Sequence, residues 1–192
     1  MTPAYEMHQL VLQILQRNQP TQRWVLKSPV HLHNLDPLLA TYPDARLVVT
    51  HRDPLAILGS VSSLIATLRS AHSDLVSLTQ IGRYHADLYF RDLEGLRKRV
   101  AERSLRGATL SHVSFCALRS DPTGELQRVY GELGLSMPGT VRDSIAQESG
   151  RLGKESATPH EWNFELLGLD RDNERARFGA YCDAFAVSEE VR

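Results

Sequence analysis

The sequence predicts an α/β fold in which a parallel sheet is flanked by helices. Two observations carry that expectation. Short runs dense in strand-forming residues alternate with longer stretches of helical periodicity, the order that strand–helix–strand crossovers impose. The length of 192 residues fits a single domain, 1–192, able to bury a core without metal or disulfide staples.

Residues 5 to 17 place Tyr5, His8, Val11, Leu12 and Leu15 at helical spacing, and Pro20 closes the run. Trp24-Val25-Leu26 then reads as a short buried strand ending at Lys27-Ser28-Pro29. A helix is expected over His31 to Thr41, where Leu32, Leu35, Leu38 and Leu39 share a face and Pro37 is an internal irregularity. Tyr42-Pro43-Asp44 turns out of it. Arg46-Leu47-Val48-Val49-Thr50 has the β-branched density of a second buried strand, stopping at His51-Arg52-Asp53-Pro54. Asp53 as N-cap and Pro54 at the first helical position then start a helix, whose core face is Ile57, Leu58, Val61, Leu64, Ile65 and Leu68.

Residues 74 to 103 predict one or two more helices, ending in the solvated stretch Arg97-Lys98-Arg99. Thr109 to Phe115 predicts a third strand, and Asp121-Pro122 starts a helix that Gly134 closes. The Gly-, Ser- and Pro-rich stretch from Ser136 to His160 reads as a long loop or lid. A last helix over 172 to 185 turns Phe178, Tyr181 and Phe185 inward.

Composition narrows the function. Twenty-two Lys and Arg against 23 Asp and Glu leave a net charge of −1, so the chain has no global basic field for nucleic acid or an anionic membrane. Any anion must be held by a local site. Cys116 and Cys182 stand among apolar neighbours, as small buried residues of a reducing compartment do. The start lacks a secretory pattern and no apolar run reaches membrane-spanning length, so a soluble, cytoplasmic protein without a membrane span is expected. No zinc-type ligand array occurs and no metal is expected.

Ligands of open α/β sheets gather outside the carboxyl ends of the strands. Arg52 stands at such an end, with Ser60 eight residues on in the following helix. A guanidinium, a helix N-terminus and a hydroxyl converging there make an anion clamp, although an Arg-Asp-Pro turn also serves purely structural ends. Lys27 ends the first strand, and if the two strands are parallel neighbours both cations face one crevice.

Trp24-Val25-Leu26-Lys27-Ser28-Pro29, His31-Leu32, Tyr42-Pro43-Asp44-Ala45-Arg46 and His51-Arg52-Asp53-Pro54 with Ser60 together resemble the sulfotransferase family that uses 3'-phosphoadenylyl sulfate, in its bacterial and carbohydrate-type branch. The similarity continues through Asp121-Pro122 with Tyr130, Gly134-Leu135 and Gly168-Leu169-Asp170. It implies a P-loop NTPase-like sulfotransferase fold, with 3'-phosphoadenylyl sulfate as co-substrate and a hydroxyl or amine on a small molecule or carbohydrate as acceptor. Arg52 and Ser60 match the family's binders of the 3'-phosphate, with Ser28 beside the donor. Lys27 matches the strand-end lysine that stabilises the leaving phosphate oxygen. The base histidine of cytosolic relatives follows that lysine at the second position, which is Pro29 here. His31, and after it His33, is the nearest alternative, and imidazole suits proton abstraction near neutral pH. His51 abuts the expected phosphate site, as a partner to it or as a packed strand-end residue. Arg151 and Lys154 in the long loop are in a position to close over the cofactor.

The family's first strand and its loop cradling the 5'-phosphosulfate lie upstream of the matched region. The 26 residues before Lys27 contain no glycine. The expectation is an N-terminally truncated, partial domain with an open sheet edge prone to self-association. The rival reading is a non-catalytic remnant that binds adenosine 3',5'-bisphosphate or acts as an interaction protein. A nucleotide kinase is disfavoured, because GxxxxGK[ST] is absent.

Overall fold

The computed structural model describes residues 2–18, 23–152 and 163–190, excepting the side chains of 151 and 152. Its elements are α1 (Thr2–Gln16), a 3-10 turn over Pro29–Asn34, α2 (Leu35–Thr41), β1 (Arg46–His51), α3 (Pro54–Ser70), α4 (Leu78–Ala101), β2 (Thr109–Ser114), α5 (Phe115–Ser120), α6 (Pro122–Glu132), α7 (Gly139–Leu152) and α8 (Arg171–Phe185). β1 and β2 pair in parallel, from Arg46 opposite Thr109 to His51 opposite Ser114, so the two strands end together. Helices flank this sheet, and the α/β expectation holds.

Local chemistry sets the boundaries. Asp53 caps α3 by accepting from the Leu55 amide at 3.0 Å, with Pro54 in the first turn. Asp121 does the same for α6 through the Gly124 amide at 2.9 Å. The expected helix from His31 divides in two. Pro37 has no N–H to donate, which is harmless only in a first turn, so the α-helix starts at Leu35 and a 3-10 turn carries 29–34.

Several expectations are overturned. Trp24-Val25-Leu26 forms no strand: 23–28 is irregular and Val25 is 93% exposed. A three-residue run cannot hold extended backbone without a ladder partner, and β1 pairs only with β2 among the described residues. β1 is covered on one face, where Leu47 and Val49 meet Leu35, Leu38 and Leu39, while Arg46, Val48 and Thr50 on the other are exposed. Burial on both faces therefore fails. Within the stretch from Ser136 to His160, Gly139–Leu152 is helical, and the remainder from 153 lies outside the described residues. Phe115 begins α5 instead of ending β2, because the Ser114 hydroxyl caps that helix. Cys116 is exposed and Cys182 half-buried, both free thiols, so neither is the fully buried small residue expected.

The principal core joins α3, α4 and α8 through Leu55, Leu58, Ala86, Leu93, Phe178 and Tyr181, and the turn 164–169 adds Phe164, Leu167 and Leu169. That turn rests on Gly82 of α4, where an added Cβ would lie 2.4 Å from the Leu167 carbonyl oxygen. Gly82→Ala is expected to cost about 1–3 kcal/mol by overpacking, read from the urea midpoint. An unchanged midpoint would show that the turn yields freely.

Candidate functional site

The paired strand ends bring Arg52 and Phe115 together. The Arg52 guanidinium lies over the Phe115 ring at 4.3 Å, a cation–π contact that fixes its plane. Its edge is taken by a carboxylate of the same chain. Nε donates to both Glu190 oxygens at 3.0 Å and Nη2 to Oε2 at 2.9 Å, the fork geometry by which guanidinium recognises oxyanions.

Asp53, 1% exposed, anchors this corner. It accepts from Arg175 Nη1 at 2.7 Å and Nη2 at 3.2 Å, and from the Glu190 amide at 2.8 Å. Glu190 arrives there because α8 ends in a sharp reversal. Ala186 adopts φ 50°, and the Val187 amide bonds back to the Cys182 carbonyl at 2.9 Å. A left-handed alanine costs roughly 1–2 kcal/mol, so the contacts made beyond it must offset that strain.

Behind Arg52, His51 is packed, as one reading of the sequence had it. Nδ1 lies 2.7 Å from the Tyr181 hydroxyl, Nε2 lies 2.8 Å from His112 Nδ1, and the ring stacks on Phe185 at 4.3 Å. Burial, then the neighbouring His112, holds its pKa down to about 4. Burial raises the Tyr181 hydroxyl above its usual range. Both groups are neutral near pH 7.

The 3-10 turn after Lys27 presents two histidines differently. His31 Nδ1 meets the Tyr5 hydroxyl of α1 at 2.9 Å, and burial, then His8, lowers its pKa. His33 Nδ1 is held by the Asp92 carboxylate of α4, with Tyr89 edge-on to the ring at 6.1 Å. A carboxylate there orients the imidazole ring.

Residues 2–139 match the family model described as "Sulfotransferase family". The chain belongs to the sulfotransferase family. It is similar in structure to sulfotransferase STF9 from Mycobacterium avium, with a TM-score of 0.81 and 24% identity. That likeness covers 100% of this chain and 49% of STF9, so the chain spans about half the length of the protein it matches. No curated protein matches it.

In this sulfotransferase-family chain the residues singled out from the sequence scatter over three settings. Arg52 stands at the strand end as expected. Ser60 lies on the exposed side of α3, opposite the buried Leu55, Leu58 and Ser62. Lys27 is exposed in the irregular segment, and Ser28 caps the 3-10 turn, accepting from the Val30 amide at 3.4 Å. The Arg151 side chain and Lys154 lie outside the described residues. Asp92, Phe115, Arg175 and Glu190 were missed. Of these, only Phe115, directly after a strand, had a local signal. Among the described residues no cluster could hold a metal ion, and no helix is long and apolar enough to cross a membrane.

Proposed function

We propose that the protein belongs to a sulfuryl-transfer system in which 3'-phosphoadenylyl sulfate donates to a hydroxyl or amine of a small-molecule or carbohydrate acceptor. The acceptor atom attacks sulfur, the bond from sulfur to the phosphate oxygen breaks, and adenosine 3',5'-bisphosphate leaves while the acceptor proton passes to a base. The observation that supports this best is Arg52. A guanidinium braced by an aromatic ring at the end of parallel strands already grips an oxyanion in two-pronged fashion.

Arg52, with Ser60, is assigned to the 3'-phosphate, Lys27 and Ser28 to the phosphosulfate side, and Arg151 to closure over the nucleotide. Of the two histidines His33 suits the base role better, since Asp92 steadies its ring, whereas His31 is engaged by Tyr5. Transfer of this kind rests on positioning and charge neutralisation, as phosphoryl transfer does.

Calorimetry tests the reading. Adenosine 3',5'-bisphosphate is expected to bind more tightly than AMP, and Arg52→Ala to remove that preference at a cost of about 1.5–3 kcal/mol for a charged hydrogen bond. Equal affinities in the parent chain would refute it. The exposure of Lys27 in a segment without ladder partners favours a second reading, a bisphosphate binder without turnover. Labelled donor separates the two: turnover lost in Lys27→Ala supports transfer, and binding without turnover supports the binder.

A further inference from the structure

We propose that the segment following α8 is an internal competitor for the strand-end anion site, with the Glu190 carboxylate occupying Arg52 until a phosphate-class anion displaces it. This rests on the assignment of Arg52 as an oxyanion binder and adds how access to it is governed.

The carboxylate uses Nε and Nη2 of Arg52, the edge that a bidentate phosphate would use, so the two occupants exclude each other. The segment is also built to return there. The left-handed turn at Ala186 sends the chain back over the strand ends, and the Glu190 amide fastens to the buried Asp53 at 2.8 Å. Contacts from a single residue, its carboxylate on Arg52 and its backbone amide on Asp53, thus span neighbouring residues of the strand end.

The latch is displaceable. The side chains of the Arg52–Glu190 pair remain 37% and 21% exposed, a setting in which ion pairs are weak. A phosphate carries more charge than a carboxylate and gains more from the same guanidinium. When Glu190 leaves, Asp53 keeps Arg175 and its α3 cap, so the strand end does not collapse. Phe115 still holds the guanidinium plane in place. Anion binding and release of residues 187–190 are therefore one equilibrium, and affinity is reduced by the fraction of molecules that are latched.

The test uses the full chain, with inorganic phosphate and adenosine 3',5'-bisphosphate as probes. Glu190→Gln is expected to bind both about tenfold more tightly than the parent. Glu189→Gln, the same charge change one residue away, should shift affinity by less than about twofold. In the parent chain, phosphate should accelerate hydrogen exchange at the Glu190 amide. Unchanged or weaker binding by Glu190→Gln, or an amide whose exchange phosphate leaves untouched, overturns the proposal. If phosphate releases the amide while bisphosphate and AMP bind equally, the latch stands and the nucleotide assignment falls, so the two failures are distinguishable.

Discussion

Arg175→Met is expected to destabilise the protein by about 3–5 kcal/mol, the range for removing one partner from a buried ion pair. The Asp53 side chain is 0% exposed while that of Arg175 is 23% exposed, so the two ends of the pair respond differently to loss of the other. Take away the guanidinium and a carboxylate stays enclosed, with the amides of Leu55 and Glu190 as its remaining named donors. Take away the carboxylate instead, by Asp53→Asn, and Arg175 still reaches water and lies 3.9 Å from Glu189. The carboxamide of that variant also keeps an oxygen to accept at the α3 cap. The smaller loss is therefore expected in Asp53→Asn, about 1–2 kcal/mol, near the value of a cap. In the double variant no buried charge is left, and its loss should fall short of the sum of the two. Urea unfolding of the four proteins reads this directly. An Arg175→Met variant within about 1 kcal/mol of the parent would mean that Asp53 is held by its amide donors alone.

What the sequence could and could not reveal follows from how local each determinant is. β1 and the start of α3 were legible because the evidence lies within them: a β-branched run, then Asp53 and Pro54 at the positions a helix start requires. Arg52 was legible as a strand-end cation for the same reason. The core face expected for α3 was not, since Leu64 and Leu68 are exposed and the helix buries Leu55 and Ser62 beside Leu58. Trp24-Val25-Leu26 has equal apolarity, yet a strand exists only where a neighbour accepts its ladder bonds, and three residues do not encode that neighbour. α7 carried a faint signal that its Gly and Ser content obscured. Val141, Ile145 and Ser149, spaced by four, are its half-buried stripe. The partners that define the site are non-local. Glu190 lies 138 residues from Arg52, Arg175 lies 122 from Asp53, and Asp92 lies 59 from His33. Periodicity within an element says nothing about which distant carboxylate a guanidinium or imidazole will meet.

The contacting pair of buried His51 and half-buried His112 makes the strand ends sensitive to mild acid. His51 is 4% exposed and is faced by Tyr181 and Phe185 of α8 and by His112 of β2, with Arg128 and Glu132 of α6 acting on His112 from beyond. No carboxylate among its named contacts compensates a charge on its ring. One proton suffices for the 2.8 Å contact between the rings, and a second would set two N–H groups against each other. Burial, then His112, brings the His51 pKa from the ordinary 6.5 down to about 4, and burial lowers that of His112 as well. Below pH 6.5 the unfolded chain takes up protons that the folded one refuses. Stability is therefore complete above that pH and is lost as pH falls through about 4, by roughly 3 kcal/mol from His51 alone. The carboxylates of Asp36, Glu94, Glu125 and Glu132 are all held below their usual range by arginine or serine hydrogen bonds, so their losses begin at lower pH. Between pH 6.5 and 5 the histidines dominate, opposed by Glu174, whose carboxyl burial holds above its usual range and which gains stability as it protonates, and the parent is expected to lose about 2 kcal/mol or less there. His51→Gln should remove most of that slope even if its stability at neutral pH is lower. Equal slopes in the two proteins, or a His51 ring that titrates near 6.5 by NMR in the folded chain, would show that water reaches the pair and that the strand ends are open to solvent.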